Sequence, residues 1–191
     1  MVLPGNLGLG KSRLASLLAK SLNCRHIAID KIGHEASSNF EILDKLCQIF
    51  GVQILNADGT LNRKKLGNIV FADEKSMKIL EELTLGYMYK CIDDVLLQKD
   101  EVIILEWILL PTSKYWDTCD FKILITSDNN ARKRKVLERD NISEEYFDKR
   151  DSASLDYSPF KFDYIFENDY QEETMNKFVE NLKENLDIRR I

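Results

Sequence analysis

Leu14, Leu17, Leu18 and Leu22 fall on one helical face, so Ser12–Leu22 is predicted to be a helix. The same periodicity runs through Phe40, Leu43, Leu46, Cys47 and Phe50, and predicts a second helix over Phe40–Phe50. Asn56-Ala57-Asp58-Gly59 is a turn signal, and Leu61–Val70 and Glu74–Leu97 read as helices. Between these lie short apolar runs. His26–Asp30 ends in a carboxylate and predicts a strand. Val102-Ile103-Ile104-Leu105 is continuous and β-branched, the pattern of a strand covered on both faces. Phe121–Ile125 and Phe162–Phe166 add two more strands. A charged helix is predicted over Asn129–Arg139, a short helix opens at Ser143-Glu144-Glu145 with Ser143 as N-cap, and Glu172–Leu186 is a terminal helix. Strands alternating with helices imply a parallel sheet covered by helices.

The run Gly5-Asn6-Leu7-Gly8-Leu9-Gly10-Lys11-Ser12 reads G-x-x-x-x-G-K-S, a phosphate-binding loop. Glycines let successive backbone N–H groups turn toward phosphate oxygens. Lys11 has the length to reach β- and γ-phosphates, and the Ser12 hydroxyl can ligate Mg²⁺. The following helix adds its positive N-terminal dipole. Only Met1–Pro4 stand before the loop, so the strand it hangs from is very short. The fold class is therefore α/β: a three-layer P-loop NTPase-type parallel sheet flanked by helices. We read residues 1–191 as a single domain, with a helical acceptor-side subregion at 61–97 and a lid at 129–156.

Composition narrows the function. Of 191 residues, 44% are hydrophobic, which excludes a disordered chain. A net charge of −5 argues against general nucleic-acid binding. Four cysteines without a C-x-x-C pair fit reduced structural thiols of a cytoplasmic protein, and two histidines give no zinc signature. No targeting segment or membrane-spanning run stands out. The most apolar stretch, Val102–Pro111, is short and contains Glu106. The expected partners are small molecules, with neither nucleic acid nor membrane among them.

Open parallel sheets bind ligands at the carboxyl ends of their strands. The loop follows the first strand, Asp30 ends the second, and Glu106 ends the third. A carboxylate at Asp30 can orient and deprotonate an acceptor hydroxyl in line with a γ-phosphate; the other reading is a helix N-cap ahead of Lys31. Glu106 follows four apolar residues, where a charge is costly unless it is paired or metal-bound. It can hold Mg²⁺ together with Ser12, or form a salt bridge with Lys11. Arg132, Lys133, Arg134, Lys135 and Arg139 crowd one stretch. The plain reading is a solvated helix face. The sharper one is a lid whose Arg139 and Arg150 neutralise the transferring phosphoryl group.

With these residues placed, the chain resembles the dephospho-coenzyme A kinase family over almost its whole length. The loop is similar to the family's G-G-x-G-x-G-K-S, with Asn6 for the second glycine. Asp30-Lys31-Ile32-Gly33-His34-Glu35 resembles the end of D-A-D-K-I-A-H-E, with Ala28 in place of the first Asp. Phe50 to Asp73 carries the closest match, to F-G-x-x-I-L-x-x-D-G-x-L-x-R-x-x-L followed by V-F-x-D. Arg139-Asp140, Arg150 and the Asp163-Tyr164-Ile165…Asn168 strand also resemble family motifs. The resemblance implies ATP- and Mg²⁺-dependent phosphorylation of the ribose 3′-hydroxyl of dephospho-CoA, the last step of coenzyme A synthesis. Asp30 would then be the base, and Lys11 with Gly5–Ser12 and Arg150 would hold ATP. Arg139 would act on the phosphates, and Ser12 and Glu106 on the metal.

Departures fall on the acceptor side. Leu85-Gly86 replace the family's His-Pro, Ile108 and Thr112 replace a proline and a glutamate, and Ser154 stands near a usual Gln. They leave two other readings open: a P-loop kinase for another small hydroxyl acceptor, such as a nucleoside or nucleotide, and a catalytically inactive nucleotide-binding regulator. The joint presence of Lys11, Ser12, Asp30 and Glu106 argues against the second.

Overall fold

The computed structural model describes residues 1–36, 39–70, 72–98, 102–152 and 154–188, without the side chains at 34, 150, 187 and 188. Phe71, part of the V-F-x-D match, lies outside these residues, as does the Arg150 side chain. The chain divides into two compact units, Met1–Ala28 with Asp100–Ile191, and Ile29–Lys99.

The first unit is built on parallel strands. β3 (Ile103–Glu106) lies between β1 (Val2–Leu3) and β2 (Arg25–Ala28). β4 (Ile123–Thr126) pairs with β5 (Tyr164–Glu167). A parallel bridge from Val2 to Lys122 joins the two sets, with Val2 N–H donating to Phe121 O at 2.8 Å. The spatial order is thus β2-β3-β1-β4-β5. β1 has two residues, both fully buried, because it is flanked on each side and its apolar side chains enter the core. α1 (Lys11–Leu22) and α8 (Glu172–Ile188) cover the sheet. Leu14, Ala15 and Leu18 of α1 and Met175, Val179 and Leu182 of α8 pack with Leu3, Ile104, Ile123, Ile125 and Phe166. β5 alternates in the expected way for an edge strand, with Phe166 buried and Ile165 exposed. α6 (Asn129–Asp140) and α7 (Glu144–Ser152) complete the unit. Ser143 Oγ accepts from Tyr146 N at 3.2 Å, as the N-cap reading required.

The second unit is helical: α2 (Ile29–Ala36), α3 (Phe40–Phe50), α4 (Arg63–Val70) and α5 (Glu74–Leu96). Its core joins Ile42, Leu46 and Phe50 of α3 to Ile54, Leu66 and Val70, with Met77, Leu80, Leu83 and Tyr87 of α5 packed against them. Asn39 caps α3 by accepting from Glu41 N, and Asp73 caps α5 by accepting from Ser76 N. Among the described residues, no helix is long and apolar enough to cross a membrane.

Two element boundaries correct the sequence reading. The second strand ends at Ala28, and Asp30 lies in the first turn of α2. The physical reason is the pattern that starts at Ile29: Ile29 and Ala36 are fully buried, and Gly33 sits so close to Met88 of α5 that a Cβ there would be 3.1 Å from its sulfur. That is helical spacing, docked on α5. Leu61, expected in a helix, instead forms an antiparallel bridge with Leu55, and α4 starts two residues later behind Asn62, whose Oδ1 accepts from Lys65 N. Ile104 on the central strand has no exposed surface. Ile104→Ala is expected to cost about 2–5 kcal/mol, read as a lowered midpoint in urea unfolding.

Candidate active site

The loop between β1 and α1 holds its curl with glycines. Gly8 and Gly10 have φ of +83° and +80°, where side chains other than glycine are strained. They are also pressed from outside: a Cβ on Gly8 would collide with Val136 of α6, and one on Gly10 would stand 2.6 Å from Asn168 Nδ2.

Four loop carbonyls are each held by a side-chain donor. Lys11 Nζ donates to Asn6 O at 2.9 Å and Arg132 Nη1 to Leu7 O at 3.5 Å. The Tyr170 hydroxyl donates to Gly8 O at 3.2 Å, and Asn168 Nδ2 to Leu9 O at 2.9 Å. Gly10 O accepts from Arg13 N and Leu14 N, the first bonds of α1. At the entry, Gly5 N–H donates to the Tyr157 hydroxyl at 3.1 Å, which itself donates to Ile108 O at 2.9 Å. A loop with its carbonyls bound outward presents its amide N–H groups on the opposite, concave side, the geometry that receives phosphate.

The acidic residue comes from the central strand. Glu106 is the last residue of β3, in register with Leu3 of β1 and Ala28 of β2, and is 5% exposed. Its Oε1 accepts from Ser12 Oγ at 2.6 Å. His26 lies opposite Ile104 in β2, and Ile104 and Glu106 share a face, so the imidazole reaches diagonally to Glu106 Oε2 at 2.8 Å. An ionised carboxylate only accepts, so Nε2 donates. Burial pushes the Glu106 carboxyl up, but the hydrogen bonds from His26 and Ser12, with the nearby charges of His26 and Lys11, hold it below the usual carboxylate range. Ser12 and Glu106 form a compact oxygen donor set of the kind that suits Mg²⁺. The carboxylate bonds are those to Ser12 and His26, whereas the Lys11 ammonium bonds the Asn6 carbonyl.

The basic stretch is divided. Arg139 has a 58% exposed side chain that pairs with its neighbour Asp140 at 2.7 and 2.8 Å. It lines a cleft of about 430 Å³ together with Gly8, Gly10, Lys135 and Tyr170. Arg132 is 4% exposed, which overturns the solvated-face reading for that residue. Its buried charge is matched by Asp151, 19 residues on, so nothing in the local sequence marked it. His26, Tyr157 and Tyr170 were also missed as site residues. For His26 the signal was indirect, since a glutamate at the end of an apolar strand needs a partner; the two tyrosines bond loop and strand-end backbone, which no local pattern marks.

Comparisons with known proteins bear on the family and the fold. The family model described as "Dephospho-CoA kinase" matches residues 1–179. The dephospho-CoA kinase of Aquifex aeolicus is 31% identical over 189 residues, covering 96% of this chain and 95% of its own. The chain belongs to the dephospho-CoA kinase family. Solved structures add the fold: TT1252 from Thermus thermophilus superposes with a TM-score of 0.79 at 23% identity, covering 97% of this chain and 96% of its own. The dephospho-CoA kinase from Campylobacter jejuni gives 0.69 at 23% identity, covering 100% and 98%. In this member of the family the loop, its carbonyl clamps and the Ser12–Glu106–His26 chain all lie within one compact unit.

Because Glu106 gives up its proton more readily in the folded than in the unfolded chain, its stabilising contribution is present above the ordinary carboxylate range. It is lost as pH falls through the lowered folded value. Glu106→Gln is therefore expected to be less stable than the parent at neutral pH, with the gap closing as pH falls below the ordinary carboxylate range in urea titrations.

Proposed function

We propose that this kinase transfers the γ-phosphoryl group of ATP to the ribose 3′-hydroxyl of dephospho-CoA, yielding CoA and ADP, the last step of CoA biosynthesis. The observation that carries the reading is the Ser12–Glu106 pair beneath a carbonyl-clamped phosphate loop, in a chain matched by the family model from residue 1 to 179. Lys11 and the amides of the Gly5–Ser12 loop beyond Gly5, whose own N–H bonds Tyr157, hold the β- and γ-phosphates. Asp30, two residues past the end of β2, accepts the proton of the 3′-hydroxyl. The oxygen attacks the γ-phosphorus, and the bond to the bridging oxygen of ADP breaks. Ser12 and Glu106 would hold Mg²⁺, which would supply neutralising charge to the phosphate oxygens. Arg139 leaves Asp140, and with Arg150 it places positive charge on the transferring group from a lid spanning 129–156. Lid closure excludes water and limits hydrolysis. The helical stretch 61–97 serves the acceptor side. ATP use and a CoA precursor as acceptor place the reaction in the cytoplasm.

The direct test is coupled ADP release with dephospho-CoA and a panel of nucleosides and nucleotides, with the product identified by mass. Turnover confined to another acceptor overturns the proposal. Asp30→Asn is expected to lower kcat by about 10²-fold or more, the usual contribution of a general base. ATP affinity, read by thermal shift, is expected to stay close to that of the parent.

A further inference from the structure

Arg132 and Val136 occupy successive turns on the buried side of α6, and both face Gly8 of the phosphate loop. The Arg132 guanidinium is 5% exposed and sits among four partners. Nη1 and Nη2 donate to the two carboxylate oxygens of Asp151 at 2.7 and 2.6 Å. Nη1 also reaches Leu7 O at 3.5 Å, and Nη2 reaches Asn129 Oδ1 at 3.3 Å. The fourth partner is Phe147, whose ring centroid lies 5.2 Å from the guanidinium carbon and which is 4% exposed. Asp151 and Phe147 are both on α7, and Leu7 is in the loop. One planar cation thus touches α6, α7 and the loop at once.

Beside this junction lies a cavity of about 240 Å³ lined by Leu7, Ile108, Phe147 and Asp151. The Arg132–Asp151 pair and the Phe147 contact bridge the loop side to α7 here, while Lys133 of α6 pairs with Glu144 and Asp148 nearer the start of α7. A buried guanidinium stripped of its carboxylate is strongly unfavourable. α7 therefore cannot move away at its Asp151 end while Arg132 stays where it is, and a shift of the loop at Leu7 is felt by the same group.

We propose that Arg132 is a positioning residue that registers α7 against the phosphate loop, so that nucleotide in the loop sets the place of α7. It touches the loop on its carbonyl side, opposite the concave amide side, so it acts through Leu7 and Asp151 and does not bind phosphate itself. The consequence for catalysis rests on the function proposed above: Asp151 directly follows Arg150, so the clamp fixes the backbone that carries the lid arginine.

Hydrogen exchange with ATP alone tests the coupling without any acceptor. In the parent protein ATP is expected to slow exchange both in residues 5–12 and in 144–152. In Arg132→Met the protection of 5–12 persists and that of 144–152 is lost. R132K and D151N, which each keep part of the junction, carry the same comparison should R132M not fold. Turnover gives the second reading: D151N is expected to lower kcat on the order of 10²-fold, as misplaced catalytic groups do, while KM for ATP changes by less than about threefold. R132K, which keeps the charge but not the two-pronged bond, falls between.

Equal ATP-induced protection of 144–152 in the parent and in R132M overturns the inference. So does a parent in which ATP protects the loop alone, or a D151N protein with lowered Tm and unchanged kcat. The function proposal fails separately, if the parent shows ATP protection but no turnover of dephospho-CoA.

Discussion

The orientation of a few peptide groups governs this structure. Four consecutive loop carbonyls, from Asn6 to Leu9, are bonded by Lys11, Arg132, Tyr170 and Asn168. A flexible glycine loop has many conformations, and fixing one costs entropy at every residue. The donors supply the compensating bonds. Three of the four come from more than a hundred residues further along the chain, so the loop is shaped only once α6 and the segment after β5 have docked. The same donors decide why Gly8 and Gly10 are glycines, since Val136 and Asn168 occupy the space a side chain would need.

The second constraint is the charge at the end of the central strand. β3 is apolar until Glu106, and a carboxylate left alone there would be costly. Ser12 from α1 and His26 from β2 each take one oxygen, which ties the start of the nucleotide helix to β3 and, through it, to β2. The bond that stabilises the fold at this point is also the bond that brings two oxygen ligands together. The loop that follows β1 is held at its far end by Glu106 and at its near end by Tyr157.

Much of this was legible in the sequence because it is local. Glycine spacing gave the loop, the run Ile103–Leu105 gave the buried strand, and the leucines of Ser12–Leu22 gave α1 with a start one residue late. α3 was read to its residue limits because Asn39 and Gly51 bound a clean periodic run. α2 was missed because its pattern spans only eight residues and follows directly on a strand. Arg132 was read as one more surface charge, since its counterion belongs to another helix. His26 was read only as the first residue of a strand, because its meaning depends on which residue lies diagonally across the sheet.

Short-range physics therefore determined the elements, the phosphate loop and the acidic strand end, along with the family they resemble. Glycine conformation, helical periodicity and the cost of burying charge all act within a few residues. Tertiary structure alone decided which donors hold the loop carbonyls, that Glu106 is shared between Ser12 and His26, and that one arginine of the basic stretch is buried while Arg139 faces solvent. Those outcomes depend on distances across the sheet and between α6 and α7, which only the packed chain defines.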